Sequence, residues 1–159
     1  MIVIQLILYC AFFTGMVAFA VKGGAIEGIY FYPKPVQERA IVIGLTDRDT
    51  ISKKRKRFMT LFYVVMFIVL VLMIGGWNHV SDFKAAYFQA LLFLEVMNWY
   101  DGIVIDKIWV GYSKFWIIPG TEDLPYIQTW KQVMKKRVFL SLVWAVGAVV
   151  VAGIIVLLF

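Results

Sequence analysis

Along the chain, four apolar runs of about twenty residues alternate with polar connections. The runs are residues 1–21, 58–76, 84–106 and 138–159. At ~1.5 Å of rise per residue, about twenty residues cross the ~30 Å of hydrocarbon in a bilayer. The pattern therefore predicts an all-α fold: a polytopic membrane protein forming a four-transmembrane-helix bundle in one domain. Its long connections, residues 22–57 and 107–137, carry enough pattern to be structured. The connection from Asn78 to Phe83 is short and makes spans two and three an antiparallel hairpin.

The second run, Phe58 to Gly76, carries no charge and is the clearest span. The first has a rival reading as a signal peptide, with Ala18-Phe19-Ala20 resembling a cleavage site, but no Lys or Arg precedes it and Lys22 follows it, so a retained helix is expected. In the first loop, Gly23-Gly24 breaks the helix and Tyr30–Pro35 reads as an extended aromatic segment. A short amphipathic helix follows, with Val36, Ala40 and Ile43 on one side, ended by Gly44. Thr46 with Asp49 three residues on reads as a capping box that starts the next helix. The last run carries Ser141, Ala145, Ala148 and Ala152 at helical spacing, a small-residue stripe that admits a close neighbour.

The third run differs from the others because Glu95, Asn98 and Asp101 interrupt it and Asp106 closes it. At about 100° per residue, positions eleven apart point within ~20° of one another. Lys84, Glu95 and Asp106 thus share a face, Asn98 lies within ~60° of it, and Asp101 lies on its flank. Ionisable groups in hydrocarbon cost at least ~2.5 kcal/mol each, so such a stripe faces the bundle interior. Glu95 falls about 16 Å along the axis, near mid-bilayer. Without a cation nearby it is expected to be neutral, bonded to Asn98 or to a hydroxyl such as Thr14 or Ser141.

Composition agrees with the pattern. Of 159 residues, 62% are hydrophobic and 16% charged, against about 45–50% and about 25% in a soluble domain. The single Cys10 excludes an internal disulfide, and the single His79 excludes histidine-rich metal or haem ligation. The net charge of +6 raises nucleic acid as a partner, but no recognition motif accompanies it, and none is expected to bind. The cations instead flank the spans, nine from Lys22 to Arg57 and six from Lys107 to Arg137, with Lys84 alone between. The positive-inside rule places both long loops in the cytoplasm and both termini outside, at the plasma (inner) membrane. Lys53, Lys54, Arg55, Lys56 and Arg57, set against the second span, are the candidate anionic-headgroup contacts.

After Asp106, aromatic residues alternate with Lys107, Lys114 and Lys131 as in a segment at headgroup level. Glu122 and Asp123 follow the Pro119-Gly120 turn. With Asp101, Asp106 and Glu27 they are expected to converge near the inner surface, where oxygen ligands suit a divalent cation, although no metal or other cofactor is assigned.

The Asp101-Gly102 and Asp106 fragment lacks the upstream aspartate, Ala-Arg pair and final aspartates of CDP-alcohol phosphotransferases. The stretches Asn98–Asp106 and Pro119–Asp123 resemble a group of small uncharacterised bacterial four-helix integral membrane proteins, with an acidic third helix followed by a Pro-Gly-Thr-Glu loop. The resemblance implies the four-helix membrane fold and carries no activity.

Three functions fit. The first is binding or transport of a small molecule or cation through a cavity lined by Glu95, Asn98, Asp101 and Asp106. The second is a non-catalytic subunit or scaffold, as a homo-oligomer or with a partner membrane subunit. The third is a metal- or carboxylate-dependent lipid-headgroup enzyme using Asp101, Asp106, Glu122 and Asp123, with Lys107 and Lys114 on phosphate. No His- or Cys-based nucleophile system is available to it.

Overall fold

The computed structural model describes residues 1–159 and is entirely helical, with 80% of residues in helix and no strand. Five helices build it: α1 (Ile2–Ala20), α2 (Lys34–Val42), α3 (Arg48–Val71), α4 (Phe83–Tyr100) and α5 (Trp130–Leu158). Two of them change type without stopping. A π-helical turn over Leu72–Trp77 ends α3, and a π-helical stretch over Asp101–Trp109 followed by a last α turn, Val110–Tyr112, extends α4. Three helices are long and apolar enough to cross a membrane: Ile2–Ala20, the combined Arg48–Trp77, and Trp130–Leu158. That marks a membrane protein. Ile4, Ile7, Phe12, Phe139, Leu142 and Val146 are exposed on α1 and α5, an apolar outer surface that water would not tolerate.

The buried face of α1 follows a ridge, Gln5, Tyr9, Phe13, Val17 and then Val21, at intervals of four, with Cys10 beside it. Four residues of α-helix advance ~400°, so these side chains line up and seat against α3 and α4. Tyr9 meets Phe93 edge to face with centroids 5.6 Å apart, and Phe13 meets Phe62 likewise at 5.6 Å. The helices alternate in direction. Near one end, Gln5 Nε2 donates to Asn78 Oδ1 at 2.7 Å, and Asn78 Nδ2 donates to Gln89 Oε1 at 3.0 Å. At the other end lie Val17, Arg55, Asp101 and Arg137.

α4 packs most extensively on α5. Ala86 and Ala90 on the first and Ala148 and Ala152 on the second are fully buried, and side chains this small let two helix backbones approach closely. The small-residue stripe of α5 is thus covered in part within the chain, by α4.

Several boundaries differ from the sequence expectation, each for a local reason. α5 starts at Trp130, eight residues before Val138, because Thr129 and Gln132 form a reciprocal capping box ahead of it. Its 29 residues span roughly 44 Å, longer than the ~30 Å of hydrocarbon in a bilayer. The cap of α3 is Asp47 rather than Thr46, and its carboxylate accepts from the Thr50 N–H at 2.8 Å and hydroxyl at 2.6 Å. Those bonds hold the Asp47 carboxyl below its ordinary range. Tyr30 and Phe31 belong to a 3₁₀ turn, Ala25–Phe31, and the extended backbone begins only at Tyr32.

The two long loops pack on each other at the charged end. The Tyr32 hydroxyl donates to the Trp116 carbonyl at 2.7 Å, and burial pushes that phenol's pKa up. Arg39 holds Asp123 through both guanidinium nitrogens, at 3.3 and 3.2 Å.

Candidate functional site

The side chain that organises the charged end is Arg137, which is 1% exposed. Its Nη1 lies 2.6 Å from Asp101 Oδ2, and its Nη2 lies 2.6 Å from Asp106 Oδ2. Two carboxylates therefore grip one guanidinium, the planar fork that suits such pairing. A guanidinium this deep would be costly alone, and with both partners in place the cluster is strongly interdependent.

The π-helical stretch makes the double grip possible. In an α-helix, five residues advance about 500°, which leaves Asp101 and Asp106 ~140° apart. A π-helix bonds residue i to i+5 and so stacks residues five apart on one face. Asp101 opens that stretch and Asp106 lies inside it. Gly102 gives Arg137 its passage, since a Cβ there would stand 2.8 Å from Nε and 3.0 Å from Cγ of the arginine.

A polar chain continues from Arg137 along the α4–α5 seam. Asn98, itself buried, donates from Nδ2 to the Arg137 carbonyl at 3.0 Å and to Ser141 Oγ at 3.3 Å, and Arg137 Nη1 donates to Asn98 Oδ1 at 3.4 Å. The Ser141 hydroxyl donates to Glu95 Oε2 at 2.6 Å. Thr14 pairs instead with the Tyr100 hydroxyl at 2.8 Å and does not bond Glu95. Lys136 sits 3.5 Å from Asp106 with its side chain 45% exposed.

Glu95, Asn98, Asp101 and Asp106 thus come together, joined by Arg137, Lys136 and Ser141. The capping box at Thr129 was the sequence signal for Arg137, because it carries the helix through position 137 and so turns a loop charge into a helix-face charge. The wider convergence of five acids does not form. Asp123 is taken by Arg39, and Glu27 lies 2.7 Å from Lys54 Nζ. Glu122 accepts from the Gly120 N–H at 2.9 Å, and hydrogen bonds from its own backbone N–H and that of Gly120 hold its carboxyl low. No three His, Cys, Asp or Glu side chains are grouped to hold a metal ion. Lys107 donates to the Gln128 carbonyl and lies 5.0 Å over the Trp130 ring, and Lys114 is exposed. Of the basic run, Lys53, Arg55, Lys56 and Arg57 are exposed and Lys54 is half-buried beside Glu27.

Beside the cluster is a cavity of about 410 Å³ between α1, α3, α4 and α5. This falls within the ~300–1,000 Å³ of small-molecule sites. Its walls change character along the bundle. One end is formed by Phe13, Phe62, Met97, Leu140 and Trp144, and at the other Arg55, Asp101, Asp106, Lys136 and Arg137 lie among the loop aromatics Phe31, Tyr32, Trp116 and Tyr126. From Lys136 to Trp144 on α5, and from Arg55 to Tyr63 on α3, the cavity runs eight residues, roughly 12 Å. The indole N–H groups of Trp116 and Trp144, both on lining residues, are buried without an acceptor. Buried donors of this kind are few in folded proteins.

Comparison with protein families, with curated proteins and with solved structures returns no match to this chain.

Proposed function

We propose that the chain is a four-span inner-membrane protein that binds an amphiphilic small molecule in the cavity beside Arg137. α4 is the fourth span in this topology. Both termini and the Gln5–Asn78–Gln89 cluster face outside, and the Arg137 cluster faces the cytoplasm, as the distribution of Lys and Arg requires. The observation that carries the function is one cavity whose walls are apolar at one end and bring all five charged lining side chains, set among aromatic ones, to the other. An apolar chain fits the first end and a polar head the second. A small cation is disfavoured there, because Asp101 and Asp106 already face Arg137 at 2.6 Å and two further cations, Arg55 and Lys136, line the same end.

Native mass spectrometry of protein released from its membrane tests this. The expected result is one retained amphiphile per chain, absent from the cavity-filling variants Val17→Trp and Leu140→Trp at unchanged melting temperature. A wild-type chain carrying nothing, or folded filled variants that retain the same adduct, would overturn it.

A further inference from the structure

We infer that the head of the occupant is a phosphate ester, bridged between Arg55 on α3 and Lys136 on α5. This inference rests on the amphiphile-binding reading above and assigns the chemistry of the head. The charges on the cavity wall do not balance. Arg55, Lys136 and Arg137 stand against Asp101 and Asp106, an excess of one positive charge. The deficit of anion is also localised. Both Arg137 Nη nitrogens are taken by the two carboxylates, which leaves only its buried Nε without an acceptor and its charge already countered. Arg55 makes no ion pair, and Lys136 is held only by a 3.5 Å contact to Asp106 with nearly half its side chain exposed. Two available cations therefore reach one cavity from different helices, at its polar end.

An anion satisfies both, and its shape decides which. Arginine pairs with phosphate through two parallel N–H···O bonds, and lysine binds it as a point charge. A phosphate monoester presents three terminal oxygens, enough for two on Arg55 and one on Lys136. A carboxylate presents two. Burial of the phosphate at the cytoplasmic end leaves the tail along Phe62, Met97 and Trp144. The neighbouring Lys53, Lys56 and Arg57 are exposed, and they raise the local concentration of anionic amphiphiles before one enters.

The test uses four probes on the full chain in nanodiscs: decyl phosphate, decanoate, decanol and inorganic phosphate. Tryptophan emission is the readout, since Trp116 and Trp144 line the cavity. Decyl phosphate is expected to bind at least tenfold more tightly than decanol and decanoate, and inorganic phosphate only weakly. In the Arg55→Ala/Lys136→Ala variant that advantage disappears while decanol binding is unchanged. Equal binding of decyl phosphate and decanol, or of decyl phosphate and decanoate, overturns the phosphate head and leaves amphiphile binding intact. Inorganic phosphate binding as tightly as decyl phosphate supports the phosphate site and overturns the amphiphile. Binding of no probe overturns both.

Discussion

Asp101 and Asp106 are five residues apart and yet each places a carboxylate oxygen 2.6 Å from the same guanidinium, that of Arg137. α-Helical geometry forbids this, and the π-helical stretch from Asp101 to Trp109 allows it. Inserting one alanine after Val104 sets the two aspartates six residues apart, about 240° in an α-helix, and turns Asp106 away from Arg137. Removing one partner of a buried ion pair costs about 3–5 kcal/mol, so the insertion should lower the melting temperature in detergent by many degrees. An unchanged melting temperature would show that the register does not matter.

Gly102 offers a milder probe of the same packing. A methyl group there meets Arg137 Nε at 2.8 Å, and Arg137 cannot retreat because both carboxylates hold it. Gly102→Ala should destabilise by about 1–3 kcal/mol through overpacking. Gly153→Ala on α5, where nothing lies within 4 Å, should be neutral or slightly stabilising. Chemical denaturation of the two variants side by side checks the difference, and equal behaviour would remove the claim of close contact.

Much of this site was visible in the sequence, and the missing parts have physical causes. Glu95, Asn98, Asp101 and Asp106 stand out because apolar helices rarely carry them. Arg137 did not stand out. It follows Lys135 and Lys136 and precedes the apolar run, so it read as one more loop cation until the helix is seen to start at Trp130. The π-helical stretch is invisible to a constant 100° per residue, which set Asp101 on the flank of the stripe. For the loop acids Glu122 and Asp123 the sequence shows only a turn and the side of the bundle on which it falls, and that does not foresee that Arg39, 84 positions away, takes Asp123.

The ion cluster should behave as a unit. Arg137→Met leaves two carboxylates facing each other without their cation and should unfold or strongly destabilise the chain. Adding Asp101→Asn and Asp106→Asn to it should recover much of the loss, because the neutralised triad no longer has an unpaired charge. Melting curves of the single and triple variants decide this. A triple variant less stable than the single one would contradict the mutual dependence of the three residues.

Orientation can be read from both surfaces. Ser81 and Tyr112 are exposed at opposite ends of the bundle, and the native Cys10 is buried. A membrane-impermeant maleimide should label Ser81→Cys from the outside of intact cells, and Tyr112→Cys only in inverted vesicles. The reverse pattern would invert the topology. Labelling of both from one side would exclude α4 as a span.

On the proposed function, the cavity beside Arg137 holds an amphiphile with its head toward the charged end. A cryo-EM map of the protein in lipid nanodiscs, with a bound antibody fragment for alignment, addresses it most directly. The expected result is one elongated density, broad between Arg55 and Lys136 and narrow along Phe62 and Trp144. A cavity collapsed by side chains, or filled only with discrete waters, would contradict it.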